Sequence, residues 1–348
     1  MRGSLTQFVK AEARKLGFDV TGVTTPAPPP HWSTFENWCD LERHADMGYL
    51  ATDRSLQSRA NPLHCLPECR SIFVLGIQYP HAQAVDKMEA HPSAGRIAAY
   101  ALGEDYHLVL PGKMLSLVAS IQSQIGYTFQ FQCYTDTGPI LERDLAQRAG
   151  LGWIGRNSCL IHPHLGSYIL LAEILLEIEL DVDPPFEPDR CGTCSRCIRS
   201  CPTGCILPDR TLDSGRCISY LTIENKGSIP VELRPSMGNW VFGCDICQEV
   251  CPWNHFSTAD HEVDHSDLRV AGDPVLLAEL GLGAQEFNKK YKNTALMRAR
   301  RSRYLRNVIV ALANSGYTVD KYQVLKKMMN DPDPLIKEHA AWAVERWK

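Results

Sequence analysis

No run in this 348-residue sequence is apolar for long enough to cross a bilayer. The most apolar stretch, YILLAEILLEIEL, carries Glu173, Glu177 and Glu179 and falls short of the roughly 20 residues a membrane helix needs. The start, MRGSLTQFVKAEARKLGF, has no apolar signal-peptide core and reads as an amphipathic helix, so a cytoplasmic protein with no membrane partner is expected. Without an export signal, the fourteen cysteines are expected to be reduced thiols rather than a disulfide framework. The chain also lacks a strong net charge, at -4, so the whole molecule exerts no pull on a polyanion. That average conceals a segment nearly devoid of acids. From Phe287 to Asn330 eleven Lys and Arg face the single acid Asp320, a local charge of about +10.

The length predicts two or three structural units. Helical periodicity over about Leu5 to Lys15, Tyr106 to Gln124 and ILERDLAQRAG interleaves with strand-like SIFVLGIQYP, YTFQFQCY and the apolar sequence from Ser158 to Leu180. This predicts an α+β protein whose layered N-terminal domain, residues 1–182, is of α/β type. The Pro- and Asp-dense DVDPPFEPD ends that domain, and a cysteine-rich domain follows at residues 183–262. Residues 263–348 read as helices, with YLRNVIVALANS, DKYQVLKKMMN and PLIKEHAAWAVERW at helical spacing. The pattern is HEAT-like, but hardly more than one copy is present and one copy cannot bury its own face. The tail is therefore expected to dock on the rest of the protein.

In CGTCSRCIRSCP, Cys191, Cys194, Cys197 and Cys201 have the C-x2-C-x2-C-x3-C-P spacing of a bacterial ferredoxin half-motif. In CDICQEVCPW, Cys244, Cys247 and Cys251 repeat its last three positions, and Cys217 can supply the first from a distance. In two-cluster ferredoxins the last cysteine of each run ligates the other cluster. Crossing the ligands assigns Cys191, Cys194, Cys197 and Cys251 to one [4Fe-4S] cluster and Cys201, Cys217, Cys244 and Cys247 to a second. Structural zinc is the bland alternative, but two x3-C-P endings and eight ligands have no reason to arise in a zinc ribbon. Cys39, Cys65, Cys69, Cys133, Cys159 and Cys205 fall outside the pattern and read as small structural residues.

Other signals are weaker. GLGWIG, from Gly150 to Gly155, matches G-x-G-x-x-G, but it follows a helix and precedes strand-like sequence, the reverse of a dinucleotide fingerprint. EDYHLVLPG contains the Asp-x-His of the corrinoid D-x-H-x-x-G motif, yet Leu110 stands where the Gly belongs, so His107 reads as structural. His162 and His164, flanking Pro163, read as loop residues.

A ferredoxin-like unit needs some sixty of these residues, which leaves a large N-terminal domain to hold the electron acceptor. DTGPILERDLAQRAGLGWIGRNSCLI, CISYLTIENKGSIPVELRPSMGN and GCDICQEVCPWN resemble the epoxyqueuosine reductase family, as do RANPLHCLPECRS, AAYALGEDYH and HAAWAVERW. The resemblance covers nearly the whole chain. It implies a cobalamin enzyme that reduces the epoxide of epoxyqueuosine at the tRNA wobble position to queuosine, with cobalamin bound base-off and electrons fed through the two clusters. It implies that Asp136 of DTGP is the proton donor and that Arg59, Tyr100, Asp136, Asn157, Ser158 and Ser167 line the corrinoid. An acid beside the substrate suits the chemistry, since an epoxide oxygen leaves only if protons reach it.

The basic tail then gains a partner, because Lys and Arg bind RNA phosphates with release of counterions. Arg298, Arg300, Arg301, Arg303 and Arg306 are the candidate tRNA contacts. A monomer served by an external low-potential electron donor completes the expectation. Two rivals remain at this stage: a corrinoid and iron-sulfur reductase of the reductive dehalogenase type acting on a small molecule, and a non-enzymatic electron-transfer adaptor.

Overall fold

A computed structural model describes residues 2–80, 94–255 and 274–348. The expected boundary between residues 262 and 263 lies outside them. The N-terminal layers begin with α1 (Arg2–Lys15), β1 (Val20–Thr24), α2 (Trp32–Asp40), α3 (Asp53–Ala60), β2 (Ser71–Gln78) and β3 (Arg96–Ile97). They continue with α4 (Tyr106–Ile125), β4 (Phe131–Tyr134), α5 (Glu142–Arg148), β5 (Trp153–Ile154), β6 (Leu160–Ile161) and β7 (Ile169–Leu176). The main sheet has the order β1-β2-β7-β4, and each neighbouring pair is antiparallel. That corrects the α/β expectation for this domain. The continuous apolar run of β2 imitates a parallel strand because helices cover both of its faces. One face packs Phe73, Leu75, Ile174 and Leu176 against Val9 of α1 and Met114 and Leu117 of α4. The other packs Ile72, Val74 and Leu175 against Leu145 and Ala146 of α5 and Ala149 at its C-terminal end.

Local signals set the ends of these elements. The Asp105 side chain accepts from the N–H of His107 and caps α4, and Gly126 ends that helix in the left-handed region at φ +82°. The helix α5 comes before GLGWIG, the strand β5 lies within it and β6 follows, so the motif leads into strands as read from the sequence. A Cβ at Gly152 would lie 2.1 Å from the Ile161 carbonyl, so that glycine serves β5–β6 contact rather than a phosphate.

The cysteine-rich segment carries α6 (Arg196–Ser200), α7 (Ile218–Ile223), β8 (Trp240–Phe242) and α8 (Ile246–Glu249). Pairing of β8 with β3 ties it to the N-terminal layers. The tail contains α9 (Leu276–Glu279), α10 (Ala284–Lys290), α11 (Arg300–Asn314), α12 (Val319–Met328) and α13 (Pro334–Glu345), with Thr318 and Asp333 capping the last two. It docks as expected. Leu305, Val308, Ile309 and Leu312 of α11 share one core with Ile97, Ile223, Val241 and Phe242, each buried side chain contributing roughly 1.5–3 kcal/mol.

Candidate active site

Asp136 stands on the loop between β4 and α5 at φ +58°, a left-handed backbone that Asp tolerates better than most residues. Two residues on, a Cβ at Gly138 would lie 2.6 Å from the Tyr134 ring, which explains the glycine in DTGP. The backbone N–H of Asp136 donates to Glu142 Oε1 at 2.5 Å, closing the turn onto the start of α5. The Asp136 carboxyl is thereby presented, 60% exposed, to a cavity of about 1800 Å³. Small-molecule pockets usually measure about 300–1,000 Å³, so this cavity has room for more than one small ligand.

Within it, the Tyr106 hydroxyl donates to Asp136 Oδ2 at 2.7 Å. His107 Nε2 lies 3.5 Å from the same oxygen, a charge contact, and its Nδ1 is 2.7 Å from Asp105 Oδ1. Burial works against the imidazolium, but the two flanking carboxylates outweigh it and raise the pKa of His107 to about 9. Desolvation by the cavity walls likewise opposes the Asp136 carboxylate. His107 and the Tyr106 hydroxyl overcome it and hold Asp136 below its ordinary value. At neutral pH the transferable proton of this group therefore resides on His107, beside an ionised Asp136. His107, read from the sequence as structural, thus stands between Asp105 and Asp136 at the cavity wall. Its signal was visible in Asp105-x-His107, which is a carboxylate–imidazole pair and not a cobalt-ligand motif.

Of the residues expected around a corrinoid, Arg59, Tyr100, Ser158 and Ser167 line the same cavity as Asp136. Arg59 is buried, donates to Ser55 Oγ and to the Gly138 carbonyl, and stacks over Phe35. Ser158 sits at φ +63° and donates to the Arg210 carbonyl at 2.6 Å. Ser167 donates to Gln248 Oε1 at 2.9 Å. Asn157 is buried behind this wall, and its side-chain N–H donors are unpartnered, so a polar group can be accommodated there. His31, another cavity residue, is held at 2.6 Å by Asp144. Phe35 and Trp38 of α2 add an aromatic wall that sequence reasoning missed; their i, i+3 spacing was its one sign.

The cysteines gather into two groups. Cys251 is within electrostatic reach of Cys191 and Cys197, and Cys197 of Cys194; Cys191 and Cys251 share an apolar cluster with Trp153 and Trp253. Cys244 lies near Cys201 and Cys217, and Cys247 near Cys244 and Cys217. Thiolates are the ligands that iron-sulfur clusters take, and the cysteines of the two runs are the candidates to hold them. Cys217 also borders the cavity. Two thiols read as structural filler touch the second group: Cys205 Sγ is 3.4 Å from Cys201 Sγ, and Cys159 is hydrogen-bonded to Cys247. His162 accepts the backbone N–H groups of His164 and Leu165, and burial lowers its pKa to about 4, in keeping with a loop role.

Comparison with known proteins bears on this arrangement. Residues 190–254 match the family described as 4Fe-4S double cluster binding domain, and residues 59–137 match the epoxyqueuosine reductase QueG family. The chain is 38% identical over 344 residues to the epoxyqueuosine reductase of Pseudomonas aeruginosa, covering 98% of this chain and 94% of that protein. It is 37% identical to that of Escherichia coli K12 over 98% of this chain and 89% of that one. The chain belongs to the epoxyqueuosine reductase family. A crystal structure of epoxyqueuosine reductase with a tRNA-Tyr epoxyqueuosine-modified stem loop superimposes with a TM-score of 0.88 at 30% identity, over 99% of this chain and 90% of that one. A family member with a double-cluster domain carries two [4Fe-4S] clusters.

The tail of this family member departs from the sequence expectation at three arginines. Arg306 is 0% exposed, and its guanidinium donates to the carbonyls of Leu221, Asn225 and Gly227 and to Asn307 Oδ1. It is a buried strut and cannot meet a phosphate. Arg303 spends its donors on the carbonyls of Ile223, Glu224, Arg298 and Ala299, and Arg301 donates to that of Leu282. Arg298 and Arg300 are exposed. Arg298 lines the cavity that holds Asp136 and pairs with Glu224 at 2.5 Å.

Proposed function

We propose that this chain reduces the epoxide of epoxyqueuosine in tRNA to the alkene of queuosine, with Asp136 and His107 delivering acid to the departing oxygen. The observation that carries this reading is that Asp136, backed by a His107 imidazolium, and Cys217, of the second thiol group, border one cavity. Electrons and protons thus converge on one space. Cobalamin fits there: the cavity volume is large, and Arg59, Tyr100, Ser158 and Ser167 supply polar walls. Bound cobalamin would supply the reducing cobalt.

The residues divide the remaining work. Tyr106 and His107 orient Asp136, while its ionised carboxyl receives the His107 proton and passes it to the developing alkoxide. Cys191, Cys194, Cys197 and Cys251 would hold the outer cluster and Cys201, Cys217, Cys244 and Cys247 the inner one, nearer the cavity. Arg190, Arg196 and Arg199 are exposed beside the first group and suit docking of an acidic, low-potential electron carrier. Residues 1–182 serve as the catalytic layer, 183–262 as the ferredoxin-like unit and 263–348 as the HEAT-like tRNA-binding tail. Arg298 and Arg300 are the tail cations best placed for anticodon phosphates. A tRNA substrate and reduced thiols suit a cytoplasmic monomer.

The test is anaerobic incubation of reconstituted protein with cobalamin, a low-potential reductant and epoxyqueuosine tRNA. Queuosine should form. Asp136→Asn should bind corrinoid with an unchanged spectrum and lose turnover. Wild-type protein that binds no corrinoid would overturn the mechanism.

A further inference from the structure

Reducing an epoxide to an alkene consumes two electrons and two protons. Both C–O bonds break, a C=C bond forms, and the oxygen departs as water. The Asp105–His107–Asp136 group accounts for one proton and leaves the second without a donor. Glu173, in the middle of β7, is 0% exposed, and neither of its carboxyl oxygens has a hydrogen-bond partner. It is a group that burial should have eliminated unless it is neutral or used.

Strand alternation places Glu173 on the same face of β7 as Leu171, which borders the cavity, and Leu175, which packs under α5. The first residue of α5 is Glu142. Its carboxyl borders the same cavity and accepts the backbone N–H of Asp136. Burial, then the neighbouring Asp136 charge, raises the pKa of Glu142 to about 8; burial, then the neighbouring Glu142 and Asp136 carboxyls, push Glu173 well above the ordinary carboxyl range.

Resting on the reading above, we propose that Glu142 and Glu173 form a proton-holding carboxyl pair that supplies the second proton of the reaction. The alkoxide formed by the first C–O cleavage is protonated from the Asp136 side. When the second C–O bond breaks, the oxygen leaves as hydroxide and takes the proton of Glu142 to become water. Glu173, which makes no hydrogen bond to Glu142 in the resting structure, then returns a proton to it through an intervening water, and Glu142 refills from solvent through the cavity once product has left. The electrons are those of the clusters, so the step needs no other reductant. Backing the half-buried Glu142 with the buried Glu173 keeps the second acid protonated at a pH where an exposed carboxyl would be empty.

The experiment uses reconstituted holoenzyme and two variants. Glu142→Gln keeps an oxygen for the Asp136 N–H but carries no acidic proton, and Glu173→Gln does the same at the inner position. Turnover of Glu142→Gln should fall about 100-fold or more, with corrinoid and tRNA binding unchanged. The alkaline limb of the wild-type profile near pH 8 should move in this variant to about 9, where His107 titrates. Infrared difference spectra between pH 7 and 10 should show protonated carboxyl bands in the wild type, one of which disappears in each variant. Wild-type turnover and limb in both variants would overturn the pair, as would absence of protonated carboxyl bands at pH 7. Loss of corrinoid binding in both variants would reduce the pair to a structural role and also overturn it. If wild-type protein makes no queuosine, the parent reading fails instead, and the infrared bands judge the carboxyl pair separately.

Discussion

The cysteine segment and the basic tail both drew attention through side-chain composition, yet they translate into structure in opposite ways. Between Cys191 and Cys251 the cysteines named from spacing lie within electrostatic reach of one another. Between Arg298 and Arg306 the five arginines scatter: Arg306 is entombed, Arg303 and Arg301 bind carbonyls, and Arg298 and Arg300 face outward. The difference is physical. A cluster demands thiolates at fixed geometry, so its loops encode that geometry in their spacing. A guanidinium has five donors that satisfy carbonyls as readily as phosphates, so charge alone does not say where it points.

The sharpest way to break this contrast lies on the cysteine side. If ligands cross between the runs, Cys251→Ala should damage the cluster of Cys191 and leave that of Cys244, and Cys201→Ala should do the converse. Each variant should keep about half of its iron, show one cluster signal by electron paramagnetic resonance, and lose turnover entirely with cluster-delivered electrons. Pairing Cys191→Ala with Cys201→Ala should remove both. If that double variant retains one cluster, the two cysteines share a site and the crossing is wrong.

A second test concerns His107. His107→Gln should lower turnover about 10²- to 10³-fold and abolish any alkaline limb near pH 9 while leaving corrinoid binding intact. The sign is fixed by the raised pKa. The protonated form is the active one, so activity falls as pH rises through about 9. The same shift stabilises the fold in full below the unfolded His value near 6.5 and is lost through pH 9. A variant with wild-type rate and profile would return His107 to a structural role.

Much of the site was legible and some of it was not. Asp136, Arg59, Tyr100, Ser158 and Ser167, named by family resemblance, meet in one cavity. Glu173 escaped notice because one acid in an apolar strand run reads as an interruption, and only the sheet order shows that both of its faces are covered. The same covering made β2 look like a parallel strand. Cys159 and Cys205 were read as filler because contact with a cluster ligand depends on tertiary neighbours that spacing does not record.

The tail offers the next separation. Arg306→Met should destabilise the protein by on the order of 3 kcal/mol, because three carbonyls lose a charged donor in a dry interior. Burial depresses the Arg306 pKa to about 9, so the residue already bears a desolvation cost that those carbonyls offset. Thermal unfolding of the variant against the wild type measures it. A change within about 0.5 kcal/mol would mean that water reaches this site.

The smallest effect, and the one that bears most directly on the comparison, is expected from Arg298→Glu combined with Arg300→Glu. Both side chains are exposed, so unfolding should hardly change. The tRNA Kd should rise about tenfold, and the slope of log Kd against log salt should flatten by roughly 0.7–0.9 per lost phosphate contact. Freeing Glu224 from Arg298 works in the same direction, since it leaves a carboxylate at the cavity mouth. Arg298→Gln therefore separates the lost contact from the added repulsion, and only the former changes the salt slope by one contact. If the double variant binds tRNA with wild-type affinity and salt dependence, the basic charge of the tail is structural throughout, and Arg306 is representative of the segment.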